Sequence, residues 1–173
     1  MGFDFNFRMV ESVRDRDRLS TFLHAQSLSY PNYADWVEKT RVELAQGDKR
    51  CIIAQSNGVL VGDCVYQQHR QFPRIREVKN MRVHEQVRGR HFATFMLRQA
   101  EVETPEEYDA MITDIRANQP GLVEMVRTMG YSELARIPLY ETNMDEVVMI
   151  KTFERTPEGL YAPFKSHLFS IAS

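Results

Sequence analysis

The dipeptide Asn57-Gly58 constrains this chain more than any other feature. On one side stands Arg50-Cys-Ile-Ile-Ala-Gln-Ser, on the other Val59-Leu-Val-Gly-Asp-Cys-Val-Tyr, both rich in β-prone residues. A two-residue hairpin turn needs positive φ at its central residues, which Asn and Gly tolerate, so the pair predicts an antiparallel hairpin. Ser56 then faces Val59. Counting outward, Cys51 faces Cys64 as a non-hydrogen-bonded pair, with Cα atoms about 4.5 Å apart. Two reduced thiols packed as small apolar groups are expected there. Gly62 offers a place for a bulge, and a slip of one residue would put the two cysteine side chains on opposite faces.

The remaining segments alternate between strand-like and helix-like patterns. Residues 4–10 predict a short strand. Residues 14–27 predict a helix with Leu19, Phe22, Leu23 and Gln26 on one side, broken at Tyr30-Pro31-Asn32. A second helix over 34–46 is expected to stop at Gly47. Residues 77–84 predict a strand, 85–91 a loop, 92–103 a helix, 108–117 a strand and 120–129 a helix that ends at Gly130. Residues 131–141 and 147–154 predict the last strands. Hairpins mixed with β-α-β crossovers argue for an α/β fold with a mixed sheet.

Composition sets outer limits. With 173 residues, 43% hydrophobic and 27% charged, the chain suits one soluble globular domain. A formal net charge of −2 lacks the basic excess of a nucleic-acid binder. No segment has the ~20 apolar residues of a membrane span. The N-terminus has no signal-peptide pattern, so a cytoplasmic protein is expected. The two cysteines make no disulfide framework, and no His/Cys cluster has zinc spacing, so no metal is expected.

The chemistry concentrates in Met81-Arg-Val-His-Glu-Gln-Val-Arg-Gly-Arg-His-Phe-Ala. A strand runs into an Arg-rich loop containing Gly89, and a helix starts near Phe92. A helix N-terminus offers unpaired N–H groups and partial positive charge. Gly89 allows close backbone approach, while Arg88 and Arg90 add charge. Together these suit a pyrophosphate. An ordinary loop with exposed arginines would have the same sequence.

Segment order adds weight. Gln86-Val87-Arg88-Gly89-Arg90-His91 stands after the fourth strand and before the third helix. Ile112-Thr-Asp-Ile-Arg-Ala-Asn118, a short helix and Gly130-Tyr131 follow. In both motifs the chain resembles the GNAT superfamily of N-acetyltransferases, over roughly residues 5–154. The resemblance implies a mixed, twisted sheet of about six to seven strands flanked by about four helices in a domain spanning 1–154. The apolar extension 155–173 is expected to pack on it or on a second subunit, so a homodimer is possible.

The resemblance further implies acetyl-CoA as acyl donor and an amine as acceptor. Backbone N–H groups of Val87, Arg88, Gly89, Arg90, His91, Phe92 and Ala93 would hold the pyrophosphate. Met81, Arg82 and Val83 would pair with the pantetheine arm, one N–H polarising the thioester carbonyl. Asn118 would lie near the pantetheine; alternatively it is a turn residue before Pro120. His91 departs from the family's Gly or Ala, and Val126 stands where many relatives place a Tyr that protonates the leaving thiolate.

An alkylammonium with a pKa near ~10.4 must lose a proton before attack. Glu77 is the first candidate base, His84 the second; either could instead be an ordinary strand-end polar residue. Tyr131 or Tyr140 could donate to the thiolate, or be core. Tyr30, Tyr33 and Trp36 could line an acceptor pocket or pack as core. Two other functions stay open: an acyl-CoA sensor with weak catalysis, suggested by Val126, and a protein or peptide acetyltransferase, suggested by Glu77.

Overall fold

A computed structural model describes residues 4–26 and 30–153 of the chain. The expected extension 155–173 lies outside the described residues. Among the described residues seven strands form one sheet: β1 (Phe5–Met9), β2 (Lys49–Ser56), β3 (Val59–Gln68), β4 (Ile75–Val83), β5 (Ala110–Arg116), β6 (Ser132–Glu141) and β7 (Met144–Thr152). The α-helices α1 (Val13–Ala25), α2 (Tyr33–Gln46), α3 (Phe92–Val102) and α4 (Pro120–Thr128) join them. Strand order is β1-β2-β3-β4-β5-β7-β6, and among the described residues only β4 and β5 run parallel. The mixed α/β sheet read from the segment pattern is the one observed.

Each face of the sheet carries its own core. Leu19 and Leu23 of α1 and Val37 of α2 bury against Cys51, Ile53 and Val65. Met96 and Leu97 of α3 and Val126 of α4 bury against Cys64, Met111, Val147 and Met149 on the opposite face. Alternation of side chains along each strand makes this division. Helix α1 starts at a capping box missed in the sequence reading, with Ser12 accepting from the Asp15 amide at 3.1 Å.

The hairpin turn is as expected: Asn57 (φ 50°) and Gly58 (φ 77°) both take positive φ. The cysteine register is corrected. Gln55 pairs with Leu60 but Ala54 with Gly62, leaving Val61 as an extra residue. Beyond this bulge Cys51 faces Val65 and Cys64 faces Ile52, so the thiols enter different cores. Both are free and buried, and burial pushes both thiol pKa values upward.

Candidate active site

Strands β4 and β5 pair from Ile75–Ala110 to Val78–Thr113. At that level β4 is bulged: Tyr66 faces Val78 but Val65 faces Asn80, which leaves Lys79 over. Above it β4 follows β3 to Val83, while β5 follows β7 to Arg116. Among the described residues no pair joins β4 to β5 past Val78–Thr113, so the two strands part into a wedge. The His84 amide donates to Val61 O at 2.7 Å, toward β3. Since antiparallel bonding alternates, Arg82 also bonds toward β3, and the N–H groups of Met81 and Val83 face the wedge.

The wedge leads to the loop before α3. After a short 3-10 turn (Glu85–Val87), Gly89 takes φ 75° and His91 takes φ 62°. A Cβ on Gly89 would meet nothing within 4 Å, so its backbone borders open space. Left-handed φ is ordinary for Gly and uncommon for His. His91 is the N-cap of α3, yet its side chain makes no capping hydrogen bond. The first amides of α3 thus lack the side-chain acceptor that usually satisfies them. At the other end Arg76 donates to the carbonyls of Ala100 (2.5 Å) and Glu103 (2.7 Å). A cation closes the negative end of α3, and an uncapped start is presented where an anion is stabilised.

The candidate catalytic side chains lie apart. Glu77 is on the α1/α2 face of β4, where its carboxylate accepts from Lys79 at 2.9 Å and Gln67 at 3.2 Å. His84 follows the strand seven residues later, roughly 23 Å along β geometry. Its Nδ1 accepts from the Gln86 amide at 3.3 Å. Tyr131 is 2% exposed in the α3/α4 core, with Lys151 Nζ 5.5 Å from its ring centre. Val126 is fully buried in the same core. Asn118 is exposed in the turn after β5, at the open end of the wedge.

The aromatic trio divides. Tyr33 stacks on Trp36 with centroids 5.7 Å apart, and its hydroxyl donates to Leu23 O at 3.1 Å. Lys49 lies over the Trp36 ring, so these two rings fasten α2 to α1 and β2. Tyr30 reaches the other half of the sheet. It meets Tyr140 edge-on with centroids 5.3 Å apart, and the Arg116 guanidinium lies 3.8 Å from its ring centre.

The Acetyltransferase (GNAT) family profile matches residues 10–131. The chain belongs to this family. Its fold matches a GNAT-family protein from Desulfovibrio desulfuricans with TM-score 0.75 at 11% identity, covering 86% of this chain and 99% of that one. The ribosomal-protein-S18-alanine N-acetyltransferase of Escherichia coli matches with TM-score 0.73 at 15% identity, covering 91% and 99%. A Salmonella typhimurium protein solved with its cofactor acetyl-CoA matches with TM-score 0.67 at 16% identity, covering 86% and 94%. No curated protein is similar enough in sequence to be matched.

In this GNAT chain the α1/α2 face beside the wedge is more polar than the sequence reading anticipated. Asp114 accepts from the Tyr140 hydroxyl at 3.0 Å, and burial raises its pKa. Glu146 is 1% exposed, and burial first, then Asp114, pushes its pKa up to about 7. Arg116 donates to Glu141 at 2.6 Å and lies 3.7 Å from Glu146. Alternation in Ile112-Thr-Asp-Ile-Arg put Asp114 and Arg116 on one face, a signal equally expected of a solvated strand. Among the described residues no cluster of three or more His, Cys, Asp or Glu is arranged for a metal ion, and no helix is long and apolar enough to cross a membrane.

Proposed function

We propose that the chain transfers the acetyl group of acetyl-CoA to a primary amine by direct attack on the thioester. One observation carries this: the wedge-facing N–H groups of Met81 and Val83 lead to the left-handed Gly89–His91 loop and the uncapped start of α3. Backbone N–H groups from Val87 to Ala93 would hold the pyrophosphate. Those of Met81 and Val83 would bond to the pantetheine arm, one polarising the carbonyl. Arg82 keeps β4 on β3, and Asn118 borders the open end.

The amine nitrogen attacks the carbonyl carbon, the C–S bond breaks, and the thiolate leaves. Glu77 is proposed to take the ammonium proton, from the acceptor side of β4 and just below the point where the strands part. An alkyl thiol has a pKa of about 8.5, so solvent can protonate the leaving group near neutral pH. The buried aliphatic Val126 therefore does not prevent turnover. It is, however, the observation that favours the second reading, an acyl-CoA-binding module without efficient turnover.

Free thiol released from acetyl-CoA with a panel of amines tests both readings. Amine-dependent release is expected, and Glu77→Gln should lower the maximal rate about 10²-fold with unchanged CoA affinity. CoA binding without release from any amine would leave the binding module standing. A Glu77→Gln rate within a few-fold of wild type would remove Glu77 from the mechanism.

A further inference from the structure

The acceptor-side face holds more negative charge than its own cations balance. Glu77 is paired with Lys79 at 2.9 Å, and Glu141 with Arg116 at 2.6 Å. Asp114 remains, and Glu146 shares Arg116 with Glu141. Asp114 has a neutral phenol as its hydrogen-bond donor. Glu146 has Arg116 Nε at 3.7 Å, outside hydrogen-bonding range, and that guanidinium is engaged with Glu141. Among the described residues the buried Glu146 Oε2 atom has no hydrogen-bond partner.

A buried carboxylate oxygen in that condition costs stability unless a ligand satisfies it. Register places the two residues diagonally across the β5–β7 pair. Asp114 faces Val148, and Glu146 lies two residues before Val148 on the same face of β7. Tyr30 and Tyr140 meet edge-on beside them, and the Tyr30 ring already carries the Arg116 guanidinium 3.8 Å from its centre.

We propose that Asp114 and Glu146 form a two-carboxylate subsite for a diamine acceptor whose nitrogens lie about 7 Å apart, the diagonal spacing of neighbouring strands. This rests on the acetyl-transfer reading of the wedge. Asp114 lies directly after Thr113, the last residue paired with β4, so it receives the nitrogen nearer the thioester. Glu146, farther up the wedge, receives the second. A saturated chain of four or five carbons spans that distance. A cation at Glu146 would also hold its carboxylate ionised against the burial that raises its pKa.

Calorimetry on the CoA-loaded protein tests the subsite independently of turnover. The probes are 1,4-diaminobutane, its homologues from three to eight carbons, and 1-aminobutane. The four- and five-carbon diamines should bind at least 10-fold tighter than the monoamine, and Glu146→Gln should bring that ratio close to one. Equal affinities for diamine and monoamine, a flat profile across chain length, or a lysine peptide preferred over every diamine would overturn the proposal. If Glu146→Gln does not fold, Asp114→Asn and the wild-type chain-length profile decide instead. Diamine selectivity without thiol release would sink acetyl transfer and keep the subsite. Thiol release with no diamine preference would do the reverse.

Discussion

Asp63 sits on β3 with no exposed surface, and among the described residues its Oδ1 has no hydrogen-bond partner. Its other oxygen accepts from Asn80 at 2.6 Å, and Arg82 stands beside it without a hydrogen bond to it. Burial raises the Asp63 pKa to about 7, more than Asn80 and Arg82 together lower it. The sign follows from linkage: the folded state holds this proton more tightly than the unfolded chain. The stability it contributes is complete below the unfolded value of 3.8 and is lost as pH rises toward 7. Asp63→Asn keeps the shape without the charge. Its stability relative to wild type should therefore be greater at pH 8 than at pH 5 in urea melts. Equal increments at both pH values would mean that Asp63 does not titrate in this range. Nothing in Val-Gly-Asp-Cys-Val marks this residue as buried. A lone carboxylate in a strand looks the same whether water or a helix covers it, and here α1 and α2 make the difference. Asp114 and Glu146 escaped the sequence for the same reason, whereas Gly89 was visible because left-handed loops before helices favour glycine.

At the scale of elements, turns were more legible than registers. Asn57-Gly58 identified the hairpin, but the side chains opposite each other depended on one extra residue in β3. The bulge brings Gly62 against its neighbours: a Cβ there would lie 3.0 Å from Arg82 O and 3.1 Å from Met96 Cε. Met96 can rotate its terminal methyl, but Arg82 O belongs to the backbone of β4. Gly62→Ala should therefore push β4 away from β3 and cost about 1–3 kcal/mol, as overpacked cores do. For a chain of this length that is a fall of roughly 2–12 °C in thermal midpoint. An unchanged midpoint would show that β3 and β4 have slack at this level. Because Gly62 faces Val83, the same displacement would disturb an amide proposed to meet the pantetheine arm. The β4 bulge at Lys79 had no comparable signal: it contains no glycine, and the pairing with β3 reveals it.

Over the whole molecule, the proposed reaction would divide two tasks between the two faces of one sheet. Helix α3 and the loop before it present amides suited to the donor on one side, and the acidic face under Tyr30 suits the acceptor on the other. The parallel pairing of β4 with β5 ends at Val78–Thr113, so a bound pantetheine would join two halves that share few backbone bonds there. Binding to the folded state alone stabilises it by about 2.7 kcal/mol at a CoA concentration 100-fold above Kd. The thermal midpoint should then rise by roughly 5–10 °C. Gly89→Trp should abolish this rise. Its side chain would enter the open space beside the loop, and its backbone φ of 75° suits no bulky residue. Without CoA the variant should melt within a few degrees of wild type, because the loop is exposed and no packing is lost. A variant that still gained the full shift would move the donor site away from α3, and with it the reason for placing the acceptor at Asp114.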